Sequence, residues 1–202
     1  MPEQKKKEQT ASAIVLERND LLVQVEPGLG GAVSRLRRGD WDILRPSPPS
    51  TSALEASCCT LAPYANRIRN GSFEFDGRRI ALNHNGADHA LHGHGWRMSW
   101  DVIEVHDSRV VLAYRHEADA WPWAYVCKQV VELGDQSLRM ELSLRNVDRA
   151  PMPSGLGFHP RFQSSPGARL TAHLEGYWDV DNQLLPTGRR QDARLGDWAR
   201  GD

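Results

Sequence analysis

Between Ser137 and Val147 the chain alternates without a fault: Leu138, Met140, Leu142 and Leu144 fall on one side, Arg139, Glu141, Ser143 and Arg145 on the other. A period of two with one dry and one wet face is the signature of an antiparallel strand lying on a core. Such a strand cannot stand alone, and the rest of the chain supplies its neighbours. Ala13 to Leu16 and Leu21 to Val25 flank the turn residues Asn19 and Asp20. Trp100 to Val105 and Arg109 to Tyr114 flank Asp107-Ser108, and Tyr125 to Leu133 runs into the alternating segment through Gly134-Asp135. Helical periodicity is almost absent. So many short strands in succession predict an all-β sandwich or barrel.

Composition narrows the function classes. A chain of 202 residues with 40% hydrophobic residues holds enough apolar surface for one core. It reads as a disordered polar tail over 1–12 followed by a single domain over 13–202. A net charge of −1 leaves no broad basic footprint for nucleic acid. Cys58, Cys59 and Cys127 fit neither a metal-ligand spacing nor a disulfide framework, which suits a reducing compartment. The basic run in MPEQKKKEQT has no apolar segment behind it, so neither a signal peptide nor a membrane span is expected and the protein reads as cytoplasmic. Pro27-Gly28-Leu29-Gly30-Gly31 does not complete a dinucleotide-binding fingerprint and no helix pattern follows it. No cofactor is expected.

Chemistry is concentrated between Pro63 and Trp96. Phe73 and Phe75, then Ile80 and Leu82, alternate about Asp76-Gly77, a pair that supplies the positive φ angles of a tight hairpin. This places Asn66 and Arg67 just before the hairpin and a run of histidines just after it, at one rim. A guanidinium fork can hold two adjacent oxygens, and imidazoles exchange protons near neutral pH, so the rim suits a polyhydroxylated ligand. Blander readings apply to its neighbours. Arg69 reads as a solvated charge, His84 and His89 as surface residues of a polar loop. His92 and His94 have the His-x-His spacing that puts two ligands on one strand face, which raises a metal site, but the first acidic residues beyond are Asp101 and Glu104, and no metal is expected. Downstream, Gly155-Leu156-Gly157-Phe158-His159-Pro160-Arg161-Phe162 holds His159 between a glycine-rich approach and a proline, in extended backbone. A fixed acid or base would be mounted this way, and so would a core histidine.

PYANRIRNGSFEFDGRRIALN, HALHGHGW, GLGFHPRF and NQLLPTG, in that order and together spanning Pro63 to Gly188, resemble the motifs of the aldose 1-epimerase (galactose mutarotase) family, in particular its bacterial branch. The resemblance implies a large antiparallel β-sandwich, a supersandwich, that binds a free aldose, a hexose or related sugar, in an open cleft and interconverts its α and β anomers. The reaction needs one acid and one base: a proton leaves the C1 hydroxyl, another reaches the ring oxygen, the aldehyde turns about C1–C2 and the ring closes on its other face. By resemblance His159 protonates the ring oxygen, His92 holds and polarises the sugar beside it, and Asn66 and Arg67 bind sugar hydroxyls. His94 receives no role.

Two departures accompany the resemblance. Arg161 stands where the family commonly has an aromatic residue, which favours an anionic sugar such as a sugar phosphate. The family's base is a glutamate well beyond the PTG motif, and no acidic residue here matches it. The expectation is therefore a sandwich lacking its C-terminal strands, with impaired catalysis. The alternative is a non-catalytic sugar- or sugar-phosphate-binding protein of the same fold. An unpaired sheet edge would be covered in a homodimer. The end of the chain, GRRQDARLGDWARGD, reads as a solvated, frayed tail.

Overall fold

Two-residue turns and alternating runs become strands where the pattern places them. The computed structural model describes residues 12–48, 52–84, 88–169 and 175–191. In chain order the strands are β1 (Ile14–Arg18), β2 (Leu21–Glu26), β3 (Ala32–Arg38), β4 (Trp41–Asp42), β5 (Cys58–Leu61), β6 (Arg67–Ile68), β7 (Ser72–Phe75), β8 (Arg78–Ala81), β9 (Ala90–Leu91), β10 (Asp101–His106), β11 (Arg109–His116), β12 (Tyr125–Leu133), β13 (Leu138–Asn146), β14 (Gly157–Pro160), β15 (Tyr177–Val180) and β16 (Pro186–Arg190). The chain forms two compact units, 1–164 and 165–202.

In the first unit one sheet runs β1-β2-β3-β5-β14, with β4 paired to β3, and a second runs β10-β11-β12-β13. All their pairings are antiparallel. Leu16, Val23, Val25, Val33 and Leu36 from the first sheet share one core with Val110, Leu112, Tyr125, Cys127, Val131 and Leu133 from the second. This is the expected all-β sandwich. Inside it Gln129 of β12 is fully buried, accepting from the Thr60 hydroxyl at 2.8 Å and donating to the Gly31 carbonyl at 2.9 Å, so its amide is satisfied without water. In β13 Leu138, Met140, Leu142 and Leu144 are half-buried against the core while Arg139, Glu141, Ser143 and Arg145 are exposed. All six residues of β10, the opposite edge, are exposed.

The hairpin of β7 and β8 forms about Asp76 (φ 50°) and Gly77 (φ 69°), as the sequence predicts. Its Phe75 ring meets Trp123 edge-on at 5.6 Å, and Phe73 lies 5.8 Å from Trp121, which also packs on Tyr64 at 5.7 Å. Trp121 and Trp123 are 3% and 2% exposed, so these contacts seat the hairpin on the sandwich through desolvated aromatic surface. Outside the hairpin, β6 pairs with β9.

In the second unit, β15 and β16 pair antiparallel, and Asp179 bridges Arg190 across them. Gly188, Arg189 and Arg190, which the sequence reading assigns to the tail, are thus strand residues: their backbone finds partners in Tyr177, Trp178 and Asp179. The N-terminal tail except Ser12, and the C-terminal tail from 192, lie outside the described residues. Among the described residues no helix is long and apolar enough to cross a membrane.

Candidate sugar site

The four predicted site residues come together on two backbone devices. The first is the pairing of β6 with β9, which sets Arg67 opposite Leu91 and brings Asn66 and His92 side by side at its end. The His92 N–H donates to the Asn66 carbonyl at 2.9 Å, and the Asn66 N–H donates to His92 Nδ1 at 2.8 Å. Asn66 (φ 65°) and His92 (φ 59°) both occupy the left-handed region, a conformation asparagine and histidine tolerate better than branched residues. Asn66 Oδ1 accepts from the Arg67 N–H at 2.9 Å and from Arg67 Nη1 at 3.4 Å.

The second device is β14, which lies beside β5 with His159 opposite Cys59. His159 is exposed, and its ring stands 5.8 Å from that of His92 at an interplanar angle of 83°. Arg161 follows at the spacing that returns a strand side chain to the same face. Its backbone is held by Ser57 and Arg45, and its Nη1 donates to the Ala56 carbonyl at 2.8 Å. Neither Arg67 nor Arg161 forms an ion pair among the described residues.

This environment decides the state of His92. Loss of hydration, then the positive charge of His159, Arg67 and Arg161, push its pKa down to about 4. The ring is therefore neutral at pH 7. Since Nδ1 accepts a backbone N–H, the ring proton sits on Nε2. His92 thus offers a neutral N–H donor to an oxygen beside His159, while an exposed imidazole at His159 can carry a proton to and from the same place.

Other histidines depart from the sequence reading. His84 is exposed as expected, and so is Arg69. His89 is not a surface residue: it is 4% exposed, and its Nδ1 accepts the N–H of Asn70 at 3.2 Å, because that amide, in a left-handed turn after β6, needs an acceptor from the partner segment. Nor do His92 and His94 share a face. Successive left-handed residues, His92 and Gly93 (φ 70°), turn the chain between them, so His94 meets Tyr125 and His116 instead of His159. Among the described residues no group of three or more His, Cys, Asp or Glu is placed to hold a metal ion.

Half-buried His94 and buried Tyr114, His116 and Tyr125 form a polar cluster that the sequence reading did not identify. The signal available was a histidine, His116, two residues beyond Tyr114 on an inward-facing position of β11 and opposite Tyr125 in register.

The aldose 1-epimerase family model matches residues 12–198. The uncharacterised Escherichia coli K12 protein YphB is 34% identical over 158 residues, 77% of this chain and 54% of YphB. YihR of the same organism, also uncharacterised, is 26% identical over 137 residues, 65% of this chain and 44% of that protein. The chain spans about half the length of the curated relatives it matches. The crystal structure of a candidate aldose 1-epimerase from E. coli K12 superposes with a TM-score of 0.83 at 31% identity, over 90% of this chain and 62% of that one. A galactose 1-epimerase from Lactobacillus acidophilus NCFM shares the fold, with a TM-score of 0.73 at 21% identity over 90% of this chain and 59% of its own. The sandwich is of the galactose mutarotase-like kind.

Proposed function

The chain belongs to the aldose 1-epimerase family, and from that premise we propose that it binds a free aldose between His92 and His159 and interconverts its anomers by ring opening and closure. The observation that carries the reading is the edge-to-face approach of these two imidazoles at 5.8 Å, one exposed and one locked as a neutral Nε2–H donor. In this reading the His92 N–H polarises the ring oxygen while His159 delivers the proton that breaks the C1–O5 bond. The C1 hydroxyl passes its proton to solvent water as the aldehyde forms, and on reclosure at the opposite face His159 takes back the proton of the O5 hydroxyl while water returns one to the C1 oxygen. Asn66 and Arg67 hold hydroxyls along the sugar, their guanidinium and amide groups already oriented on each other.

A second reading has its own observation: the charged groups that act on His92 are His159, Arg67 and Arg161, and none is a carboxylate. A site with an acid but no base would bind sugar without turning it over.

Polarimetry of freshly dissolved α-D-glucose and α-D-galactose separates the two. The enzyme reading expects acceleration that His159→Ala abolishes. Binding heat without acceleration supports the second reading, and neither heat nor acceleration with any common hexose, pentose or sugar phosphate defeats both.

A further inference from the structure

We propose that His94 is a positioning residue that holds the His92 loop in place, acting through the hydroxyl of Tyr125. The role attaches to the sugar site proposed above, while the contacts that suggest it are independent of any substrate.

The His92 loop is fastened to the first sheet by backbone and by the buried Trp96 ring, which shares a cluster with Ala32, Cys59 and Leu61. Ala62, the residue after β5, accepts the N–H groups of His94 at 3.0 Å and Gly95 at 2.9 Å. Because β5 also sets the register of His159 through Cys59, both imidazoles of the site are indexed to one strand. Reciprocal hydrogen bonds with Asn66 hold His92 itself, and Trp100 Nε1 donates to the Gly95 carbonyl at 2.9 Å.

The His94 side chain adds a fastening from the second sheet. Its Nε2 lies 2.8 Å from the hydroxyl of Tyr125 on β12, a residue with no exposed surface. Its ring lies 4.2 Å from that of His116 of β11, tilted by 36°. His116 is itself fixed: Nε2 faces the Trp121 carbonyl at 3.1 Å and Asp119 Oδ1 at 3.4 Å, both acceptors, so Nε2 carries a proton, and Nδ1 faces the Tyr114 hydroxyl at 3.4 Å. Beside the ties made by Asn66, Trp96 and Trp100, the His94 imidazole thus links the loop to the second sheet. The link accepts few geometries at its Tyr125 end, because the hydroxyl of a residue with no exposed surface has little water to turn to if His94 is misplaced. An aliphatic side chain would fill the same space without specifying an angle. That difference separates positioning from packing and gives the test.

The experiment uses the 202-residue chain labelled with ¹⁵N-histidine, followed by imidazole NMR and by mutarotation kinetics. His94→Leu and Tyr125→Phe remove the link and keep the volume; His94→Gln keeps an amide near the Nε2 position. Loosening the loop is expected to move the His92 ring resonances and to lower kcat about tenfold, the scale of small misplacements of a reacting group, with KM changed by less than about twofold. His94→Gln should restore both. Tyr114→Phe, which loses the hydroxyl facing His116 and keeps the ring that stands 6.1 Å from His94, should leave the His92 resonances where they are. Unmoved His92 resonances in His94→Leu and Tyr125→Phe, or a His94→Gln variant no better than His94→Leu, would overturn the inference in favour of packing. A wild type without mutarotation would count against the proposed activity alone, and the resonances would then decide. Should the variants not fold, the wild type still decides: a cross-peak between the Tyr125 hydroxyl proton and the His94 ring is expected, and its absence sinks the link.

Discussion

A β-carbon built on Gly93 would stand 2.1 Å from the carbonyl oxygen of Ala62. That oxygen is the one on which His94 and Gly95 hang, so the close approach and the fastening of the site loop are one feature. Gly93→Ala adds a methyl where backbone cannot yield and places a non-glycine residue at φ 70°. The variant should lose more than about 2 kcal/mol of stability, read as a lower urea midpoint, and under the proposed function should bind sugar poorly even where it is folded.

Gln129 offers a prediction away from the site. Replacing it with leucine preserves volume approximately but strands the Thr60 hydroxyl and the Gly31 carbonyl between the sheets. Each abandoned group costs about 1–3 kcal/mol, so Gln129→Leu should destabilise by a few kcal/mol despite being more apolar. Pairing it with Thr60→Val should recover part of the loss, which a double-mutant cycle in urea would measure.

These contacts show which parts of the molecule were legible. The alternation in β13 and the Asp76-Gly77 turn report local geometry, and both elements formed where expected. Cys58–Leu61 escaped notice because all four residues of β5 are buried, and a strand dry on both faces carries no alternation to read. The resemblance brought Asn66, Arg67, His92 and His159 to attention, and the structure sets them in one place. It could not show that His94 turns away from His92: that depends on two consecutive left-handed residues, and a histidine at such a position leaves no periodic trace. A buried histidine is defined by the donor or acceptor it meets: for His89 that is the N–H of Asn70, 19 residues away, and for His116 the Trp121 carbonyl, brought back to it by the turn after β11.

The cysteines should be inert in the folded protein. Cys58, Cys59 and Cys127 are 2% exposed or less, and burial raises their thiol pKa values, those of Cys58 and Cys127 to about 12. At pH 8 a disulfide reagent such as Ellman's should find no fast-reacting thiol in the native chain and three in denaturant. A fast native thiol would mean that β5 or β12 opens to solvent.

Acid should destabilise the fold through His94. Burial first, then the neighbouring His116, lower its pKa from 6.5 to about 4, with Asp119 opposing. Between those values the unfolded chain binds a proton that the folded chain does not, so stability rises with pH across that window and falls as pH drops through it. The contribution is complete above about pH 6.5 and gone below about pH 4, and amounts to at most about 3 kcal/mol. His92 adds in the same direction but less, being more accessible to solvent screening. Urea midpoints measured from pH 7 to pH 4.5 should decline in the wild type and decline less in His94→Gln.

The state of His92 is the most direct check on the proposed chemistry. With Nδ1 occupied by the Asn66 N–H, its ring should appear in ¹⁵N NMR as a single Nε2–H tautomer from pH 8 down to about pH 5.5, with a protonation midpoint near 4 where an ordinary histidine would titrate near 6.5. Burial is the larger cause, and the charges of His159, Arg67 and Arg161 follow it. Arg161→Ala should therefore raise the midpoint only part of the way towards 6.5, and so should His159→Ala. A wild-type midpoint near 6.5 would mean that the ring is hydrated and partly cationic at neutral pH. It would then compete with His159 for the role of acid instead of serving as a fixed neutral donor, and the division of labour between the two imidazoles would have to be reversed.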